Sequence, residues 1–264
     1  MHALALARSR VSNWYHLVGK FRSGLAFGKQ LPAAQLPQVP QQATGVLETY
    51  FDEHLTGPGL WKLRHYFPIY ERHLAKFVGR EVHVVEIGVH SGGSLRMWKS
   101  YFGDDVHLYG IDLRPEIHVY EDANTRVFVG DQSDPEFWKR FLDEVPEVDV
   151  IIDDGGHMAH QQIVTLEALL PHLRPGGVYL CEDVMSEMHA FHGYVDGLAR
   201  NLHTKAPLDA DEHHRATTFQ RAVDSIHNYP YVVVIEKRIE AIEFLDAEKH
   251  GTEWQPFGHK HLDS

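Results

Sequence analysis

The segment IIDDGGHMAH, from Ile151 to His160, places two carboxylates, two glycines and a histidine directly after a strand-like run. The preceding residues, 148–152, are rich in the β-branched side chains that buried strands favour. The two glycines permit a sharp turn. In parallel sheets, ligands bind outside the carboxyl ends of the strands. We therefore expect Asp154 and His157 to lie together at the edge of a sheet, in a ligand site.

Strand-like and helix-like patterns alternate on both sides of this segment, which predicts an α/β fold with a mostly parallel sheet covered on both faces. Predicted parallel strands lie in 81–89, 105–113, 125–132, 148–154 and 176–183, and an antiparallel hairpin in 225–238 with a turn at 228–230. Predicted helices lie in 46–55, 62–77, 92–102, 134–142 and 160–173. The expected architecture is a doubly wound, seven-stranded sheet ending in the hairpin.

The composition limits the classes of function. The chain has 264 residues, 43% of them hydrophobic and 23% charged, as in ordinary globular proteins. The net charge of −12 argues against nucleic acid as the main partner. No apolar run approaches the ~18 residues that a membrane span requires. A single cysteine, Cys181, excludes an intrachain disulfide and favours a reducing, cytoplasmic location.

The N-terminal segment differs from the rest of the chain. It contains no acidic residue before Glu48, and a stretch with three prolines at 31–43 is typical of an extended linker. We predict a basic arm and linker over 1–45 and one catalytic or binding domain over 46–264. The arm could dock on a second copy in a homo-oligomer, act in targeting or membrane-surface contact, or be disordered.

Every predicted parallel strand ends in an acidic residue. Aspartate and glycine are common in turns and helix caps, but five successive strand ends are better explained by a ligand site. The residues at these ends are Glu86 with Gly88, Asp112, Asp131, Asp154 with His157, and Glu182 with Asp183.

The glycine-rich turn EIGVHSGGS, 86–94, indicates the type of cofactor. Its spacing is not the G-x-G-x-x-G of dinucleotide sites, which argues against a nicotinamide oxidoreductase. Asp112 closes the next strand, where an acid accepts hydrogen bonds from ribose hydroxyls. No lysine followed by serine or threonine is present to hold a triphosphate. The pattern therefore favours a nucleoside ligand without a long phosphate chain, and S-adenosylmethionine fits.

Five motifs together resemble the class I S-adenosylmethionine-dependent methyltransferases. More narrowly, they resemble the metal-dependent O-methyltransferases of macrolide sugars and of mycobacterial methylmannose polysaccharides. The resemblance covers Leu63 to Lys237 and implies a Rossmann-like fold. The motifs are VVEIGVHSGGSLRMWKSYF (84–102), LYGIDL (108–113), GDQSDPEF (130–137), IIDDGGHMAHQQ (151–162) and LRPGGVYLCEDV (173–184).

The resemblance assigns roles in the cofactor site. It implies that Glu86, Gly88 and Ser94 belong to the turn on the methionine side, and that Asp112 holds the ribose. It places Asp131 and Gln132 beside the adenine and Asp154 next to the cofactor. Helix capping is the alternative role for Asp131, although Ser133 or Asp134 could serve as the cap instead.

A metal site is expected at the same edge. If the strands ending at Asp154 and Glu182 are neighbours, they lie ~4.8 Å apart and their carboxylates converge with Asp183. Such carboxylates repel unless a cation neutralises them, and oxygen ligands suit Mg²⁺ or Mn²⁺. The resemblance likewise makes these three residues metal ligands and His157 the general base. Asp153, on the opposite face of its strand, is expected to be structural.

The predicted activity is methyl transfer from S-adenosylmethionine to a hydroxyl of a sugar or oligosaccharide. A catechol-type enzyme is an alternative, but its second ligand pair is normally Asp-Asn, whereas this chain has Glu182-Asp183. A tailoring enzyme with a non-sugar acceptor and a non-catalytic binding module also remain open. Tyr66 and Trp98 could stack on the acceptor or belong to the core. Residues 209–219 could form a lid or a solvated loop.

Overall fold

The computed structural model describes residues 2–30, 44–210, 213–248 and 250–251, and the chain divides into two compact units, 1–44 and 45–264. In the first unit the predicted N-terminal helix is present as α1, His2–Gly28. Most of the predicted linker lies outside the described residues. Within the described part of the chain, no helix is long and apolar enough to cross a membrane.

The second unit is built on a seven-stranded sheet in the order β3-β2-β1-β4-β5-β7-β6. Strands β1 to β5 are parallel, whereas β7 runs antiparallel to both β5 and β6. The predicted mostly parallel sheet with an antiparallel C-terminal hairpin is therefore confirmed. The strands are β1 Val82–Ile87, β2 Val106–Asp112, β3 Thr125–Val129, β4 Val148–Asp153, β5 Leu173–Cys181, β6 Val223–Tyr229 and β7 Val232–Lys237.

Helices cover both faces of this sheet. They are α2 Val46–Glu53, α3 Phe67–Leu74, α4 Gly93–Phe102, α5 Pro135–Glu144, α6 Ala159–Leu169, α7 Ala190–Leu202 and α8 Thr218–Ala222, with 3₁₀ turns at Arg64–Tyr66, Ala75–Phe77 and Pro115–Tyr120. The single helix predicted over 62–77 was wrong, because α3 is flanked by two of these 3₁₀ turns. Helix α7 was not predicted. Its sequence contains two glycines, and the burial of Phe191 and Val195 stabilises it.

The β4 strand shows why the fold needs two helical layers. Val150 and Ile152 belong to an apolar core on one face, which also contains Trp98. Ile151 belongs to a second core on the other face, around Trp138. Since both faces of the strand are apolar, each must be covered to remove it from water.

The strand order reverses between β1 and β4, because the chain continues from β1 to β2 on one side and returns to β4 on the other. The turns after these two strands meet closely. The Asp154 amide donates to the Ile87 carbonyl over 3.0 Å. Gly88 has a φ of +91°, and a Cβ at this position would lie 2.0 Å from the Asp154 carbonyl oxygen. Only glycine fits this contact, which opens a crevice at the carboxyl edge of the sheet.

Substituting Gly88 by alanine should therefore destabilise the fold through two effects. Gly79 offers a matched control, because its φ is +74° and nothing lies within 4 Å of an added Cβ. We expect Gly79→Ala to lower the free energy of unfolding by about 1–2 kcal/mol through backbone strain. Gly88→Ala should lose a further ~1–3 kcal/mol through overlap with the neighbouring turn. Equal losses in urea unfolding would contradict the close contact.

Candidate active site

A cavity of about 720 Å³ lies at the carboxyl edge of the parallel strands. Its size is within the range of sites for small ligands and cofactors. Nine of the ten residues predicted for the site line this cavity, and Glu86 does not. They are Gly88, Ser94, Asp112, Asp131, Gln132, Asp154, His157, Glu182 and Asp183. One cavity thus joins the glycine-rich turn to the acidic strand ends.

Asp112 is held in place at one end of the cavity by the backbone. Its two carboxylate oxygens accept from the amides of His90, over 2.8 Å, and Arg114, over 3.1 Å. His90 has a φ of +48°, so the turn after β1 takes a left-handed conformation where it meets Asp112. These bonds fix a carboxylate on the cavity wall beside the glycine-rich turn, as ribose recognition requires.

The next strand end separates into one exposed acid and one buried amide. Asp131 accepts from the Ser133 amide over 2.8 Å and from its hydroxyl over 2.7 Å, and these bonds lower the pKa of Asp131. Asp134 caps α5 by accepting from the Glu136 amide, so capping does not require Asp131. Asp131 therefore retains a place on the cavity wall.

Gln132 organises the turn that follows β4. Its side-chain nitrogen donates to Asp153 and to the Thr165 hydroxyl, both over 3.0 Å. Its side-chain oxygen accepts from the Gly156 amide over 2.6 Å. With only 5% of its surface exposed, Gln132 has a supporting role that sequence reasoning did not foresee, in addition to its place beside the cavity.

Glu86 lies behind the cavity wall. Its carboxylate accepts from the Ser94 hydroxyl over 2.9 Å and from the Trp98 indole nitrogen over 3.0 Å, and its residue is 1% exposed. Burial raises the pKa of Glu86 to about 7. The predicted direct contact with a cofactor stays a prediction, and the described geometry instead makes Glu86 a support for Ser94.

Asp153 and Asp154 point to opposite faces of the sheet, as expected for successive strand residues. Asp153 is 1% exposed and accepts from the Tyr179 hydroxyl over 2.9 Å. Burial raises its pKa. The prediction that Asp153 is structural is confirmed, and Asp154 alone reaches the cavity.

Asp154, His157 and Asp183 form a cluster at the other end of the cavity. Each offers one ligand atom, and these atoms lie within 4.8 Å of one another. The Nε2 atom of His157 is 3.7 Å from an Asp183 oxygen. The Nδ1 atom of His157 is buried and has no hydrogen-bond partner among the described residues. An imidazole with both nitrogens available beside two carboxylates can bind a proton or a cation.

The backbone at this cluster is strained in two places. His157 has a φ of +57° and Asp183 a φ of +55°, and neither is a glycine. Left-handed conformations are uncommon for such residues and are found preferentially at functional sites. The two turns therefore bring the two side chains together at an energetic cost.

Lys62 was not predicted, yet it is the buried cation of the site. Its ammonium lies 2.5 Å from an Asp154 oxygen and 2.9 Å from a Glu182 oxygen. Burial acts to lower the pKa of Lys62, but Glu182 and Asp154 outweigh it and raise the pKa well above its usual range. The sequence gave no signal, because Lys62 precedes the first 3₁₀ turn and follows neither a motif nor a strand.

Lys62 changes the expected set of metal ligands. Glu182 also accepts from the Tyr70 hydroxyl over 2.7 Å, so its carboxylate is directed at two buried donors. The donors that lie together beside the cavity are those of Asp154, His157 and Asp183. This mixed oxygen and nitrogen set fits a divalent cation. A ligand role for Glu182 remains a prediction and requires Lys62 to move.

Two aromatic side chains have different places. Trp98 is fully buried in the core, so its predicted alternative as a stacking surface was wrong. Tyr66 lines the cavity and donates its hydroxyl to an Asp183 oxygen over 2.6 Å. Trp61, which sequence reasoning missed, also lines the cavity and is 90% exposed. No described residue of 209–219 lines this cavity, and a lid role for that segment stays a prediction.

Comparison with known proteins places this geometry in a family. Residues 85–184 match the family model described as a methyltransferase domain, Methyltransf_24. The chain contains a methyltransferase domain. The match spans the strand ends from the glycine-rich turn to Asp183, which are the elements that build the cavity.

Curated relatives of this methyltransferase domain act on sugars, according to their names. The chain is 35% identical over 202 residues to 8-demethyl-8-alpha-L-rhamnosyl tetracenomycin-C 2'-O-methyltransferase of Streptomyces olivaceus, covering 69% of this chain and 52% of the relative. It is 34% identical over 195 residues to mycinamicin VI 2''-O-methyltransferase of Micromonospora griseorubida, covering 66% and 48%. The chain thus spans about half the length of these relatives.

A solved structure agrees with the fold. The MycE methyltransferase from the mycinamycin biosynthetic pathway, in complex with Mg, SAH and mycinamycin VI, superimposes with a TM-score of 0.62 at 29% identity. The similarity covers 74% of this chain and 54% of that protein. At this identity the comparison supports both the Rossmann-like methyltransferase fold and the relationship.

The buried Glu86 carboxyl generates a prediction about stability and pH. Because its pKa is raised to about 7, the folded protein binds the proton more tightly than the unfolded chain does. Its stabilising contribution is present below about pH 4.5 and is lost as the pH rises through 7. Glu86→Gln keeps an acceptor without a charge. The variant should therefore gain stability relative to wild type, by up to about 3 kcal/mol, between pH 4.5 and pH 8.

Urea unfolding of both proteins at the two pH values measures this difference. If the gap between Glu86→Gln and wild type stays constant with pH, Glu86 does not titrate in this way. If the variant is less stable at both values but the gap still narrows as the pH rises, the lost charge-assisted bonds to Ser94 and Trp98 add a constant penalty to the predicted effect.

Proposed function

We propose that the chain is an S-adenosylmethionine- and Mg²⁺-dependent O-methyltransferase that acts on a sugar hydroxyl of an oligosaccharide or glycosylated metabolite. The observation that carries this proposal is a single cavity with a nucleoside-type end at Gly88 and Asp112 and a cation-type end at Asp154, His157 and Asp183. The names of the curated relatives, which include two sugar O-methyltransferases of antibiotic pathways, support the choice of acceptor.

At the cofactor end, the chain supplies shape and one negative charge. Gly88 and Ser94 line the cavity beside Asp112, and Asp131 lies farther along the same wall. When bound there, S-adenosylmethionine supplies an electrophilic methyl group on a sulfonium. We assign the ribose hydroxyls to Asp112, whose carboxylate the backbone already holds in place, and the adenine side to Asp131 and Gln132.

At the other end, we assign the metal to Asp154 and Asp183, with Glu182 as the further predicted ligand. When bound, a divalent ion lowers the pKa of a hydroxyl that it contacts and orients a vicinal diol. Mg²⁺ prefers oxygen ligands, so the imidazole of His157 would remain available. Lys62 holds Asp154 and Glu182 together from the buried side and balances part of their charge.

His157 is the proposed general base. It lines the cavity three residues beyond Asp154, and its Nδ1 atom has no partner among the described residues. The acceptor hydroxyl gives its proton to His157 as its oxygen bonds to the methyl carbon and the carbon–sulfur bond breaks. The transfer is mainly a matter of positioning the oxygen in line with that bond.

The rim of the cavity is suited to a sugar. Trp61 is 90% exposed and lines the cavity, together with Met185. The apolar face of a pyranose packs on such an exposed indole, and ring hydroxyls would then face the carboxylates. A non-sugar phenol would also pack there, which keeps the catechol-type reaction as the second candidate.

Other parts of the proposal concern location and assembly. We propose that the protein is cytoplasmic and homo-oligomeric, that 1–45 is an arm joined to a catalytic domain over 46–264, and that nucleic acid is not its partner. The acidic net charge and the single cysteine support the location and the lack of a nucleic-acid partner. Light scattering of the chain with and without residues 1–40 tests the assembly role, because an unchanged mass would remove it.

The reaction itself is tested with labelled S-adenosylmethionine and a panel of sugar oligomers, glycosides and catechols. We expect label in a sugar product with Mg²⁺, loss of turnover in EDTA, and recovery with Mg²⁺ or Mn²⁺. Cofactor binding should survive chelation, because the metal serves the acceptor. Full turnover in EDTA would overturn the metal role, and label only in catechols would favour the second candidate.

Asp112→Ala should weaken S-adenosylmethionine binding by about 1–3 kcal/mol, the range for losing a charged hydrogen-bond acceptor. Asp122→Ala is a matched control, because Asp122 also accepts from a turn amide, that of Asn124, but does not line the cavity. Calorimetry should show weaker binding for the first variant alone. Equal affinities in two folded variants would remove Asp112 from the site.

His157→Ala should lower turnover by about 10²–10⁴-fold, the usual range for a lost general base, with little change in cofactor affinity. In the wild type, the rate should rise with pH where imidazoles lose their proton. His160→Ala is the control, because His160 is exposed at the start of α6 and does not line the cavity.

Titration with Mg²⁺ separates the two possible roles of His157. If His157→Ala binds Mg²⁺ normally but turns over slowly, the histidine acts as the base. If the variant binds Mg²⁺ much more weakly, His157 is a ligand. Turnover within a few-fold of wild type at an unchanged melting temperature would contradict both roles.

A further inference from the structure

A second cluster of possible ligands lies at the edge of the sheet opposite the cavity. His83 and His107 occupy the second positions of β1 and β2 and are paired in the parallel register. Paired residues on neighbouring parallel strands project to the same face. Their imidazole rings accordingly stack, with centroids 4.6 Å apart and an angle of 18° between the planes.

Glu81 completes the cluster from the residue before β1. One of its oxygens lies 3.6 Å from His83 Nε2 and 3.7 Å from His107 Nε2. These distances are too long for good hydrogen bonds. All three ligand atoms lie within 4.8 Å of one another. Ligands at ~2.0–2.1 Å from a tetrahedral ion are about 3.4 Å apart, so small side-chain movements would bring all three onto one ion.

The surroundings of His83 are those of a metal ligand. Its Nδ1 atom lies 2.9 Å from the Tyr109 hydroxyl. Metal-binding histidines typically hold their second ring nitrogen in such a bond, which fixes the ring and directs the other nitrogen at the metal. Burial, together with the charge of Arg174 and the neighbouring His107, lowers the pKa of His83 and favours the neutral ring that metals require.

The charges that face the cluster do not oppose a cation strongly. Arg174 is paired with Asp149 over 2.9 Å. The same Asp149 oxygen accepts from the His83 amide over 2.9 Å, so a second carboxylate lies against the strand. Glu81 is 72% exposed at its side chain and His107 43%, which leaves the cluster open to an ion and to water ligands.

A comparable group elsewhere in the chain lacks this availability. His73, His227 and Glu236 also lie within ligand distance of one another. However, His73 already uses both ring nitrogens, with Glu236 at 2.8 Å and the Tyr229 hydroxyl at 2.9 Å. That group is a completed hydrogen-bond network, whereas the Glu81 cluster is not.

We propose that Glu81, His83 and His107 bind Zn²⁺ or a similar divalent transition ion, with water in the remaining position. Two imidazole nitrogens and one carboxylate oxygen favour such an ion over Mg²⁺. The ion would join the beginnings of β1 and β2. His83 is four residues from the end of β1, or about 13 Å along the strand, so this site is separate from the methyl-transfer cavity.

The test is calorimetric titration of the full, tag-free chain with Zn²⁺ in the presence of saturating Mg²⁺. His107→Gln and Glu81→Gln remove exposed ligands and should fold normally, which melting temperatures in EDTA will verify. His118→Gln is the matched control, because His118 is an exposed histidine 3.2 Å from one carboxylate, Glu121, without a second imidazole. A titration of His157→Ala identifies any Zn²⁺ bound in the cavity.

We expect wild type, His118→Gln and His157→Ala to share one Zn²⁺ site that His107→Gln lacks. In Glu81→Gln its affinity should fall about tenfold or more. Zn²⁺ should raise the melting temperature of wild type and His118→Gln but not that of His107→Gln. The proposal is overturned if His107→Gln retains every Zn²⁺ site of wild type, or if the only site is the one lost in His157→Ala.

Discussion

The contact between the turns after β1 and β4 determines where everything else in the site can lie. With no Cβ at Gly88, the two backbones approach so closely that a methyl group would overlap the Asp154 carbonyl. This contact aligns the cofactor end of the cavity with the acidic end on one continuous wall. A wider separation would divide the wall into two unrelated surface clefts. The left-handed turn at His90, which carries the amide that binds Asp112, depends on the same geometry.

The turn after β4 is supported from behind by a network of buried polar groups. Gln132 links the Gly156 amide, Asp153 and Thr165, and Asp153 in turn accepts from Tyr179. Each of these groups has a partner, which is the condition for burying polar atoms without a large penalty. The network belongs to the opposite face of the sheet from Asp154. It therefore fixes the backbone of the turn and leaves the cavity-facing side chains free to bind ligands.

Much of this arrangement could be predicted from the sequence because it depends on local patterns. The strand ends, the glycine-rich turn and the alternation of Asp153 and Asp154 follow from strand periodicity and from the rule that ligands bind at carboxyl edges. Lys62 could not be predicted, since it reaches Glu182 across 120 residues of chain and belongs to no motif. Glu86 was placed at the correct strand but on the wrong side of the wall, because strand position does not specify which neighbours a side chain will bond.

Lys62 also explains how so many acids coexist at one edge. Asp154, Glu182 and Asp183 would carry three negative charges when ionised, in a place where Glu182 is only 1% exposed. Lys62 supplies one positive charge from the buried side, and Tyr70 and Tyr66 donate hydrogen bonds to Glu182 and Asp183. Two negative charges then remain on the side that faces the cavity, which one divalent cation would neutralise. A lysine alone would leave the cluster anionic, whereas a divalent ion alone would leave Glu182 without a partner in the core. The two cations therefore have different tasks: the lysine makes burial of the acids tolerable, and the open side keeps the charge that a metal and an acceptor diol require.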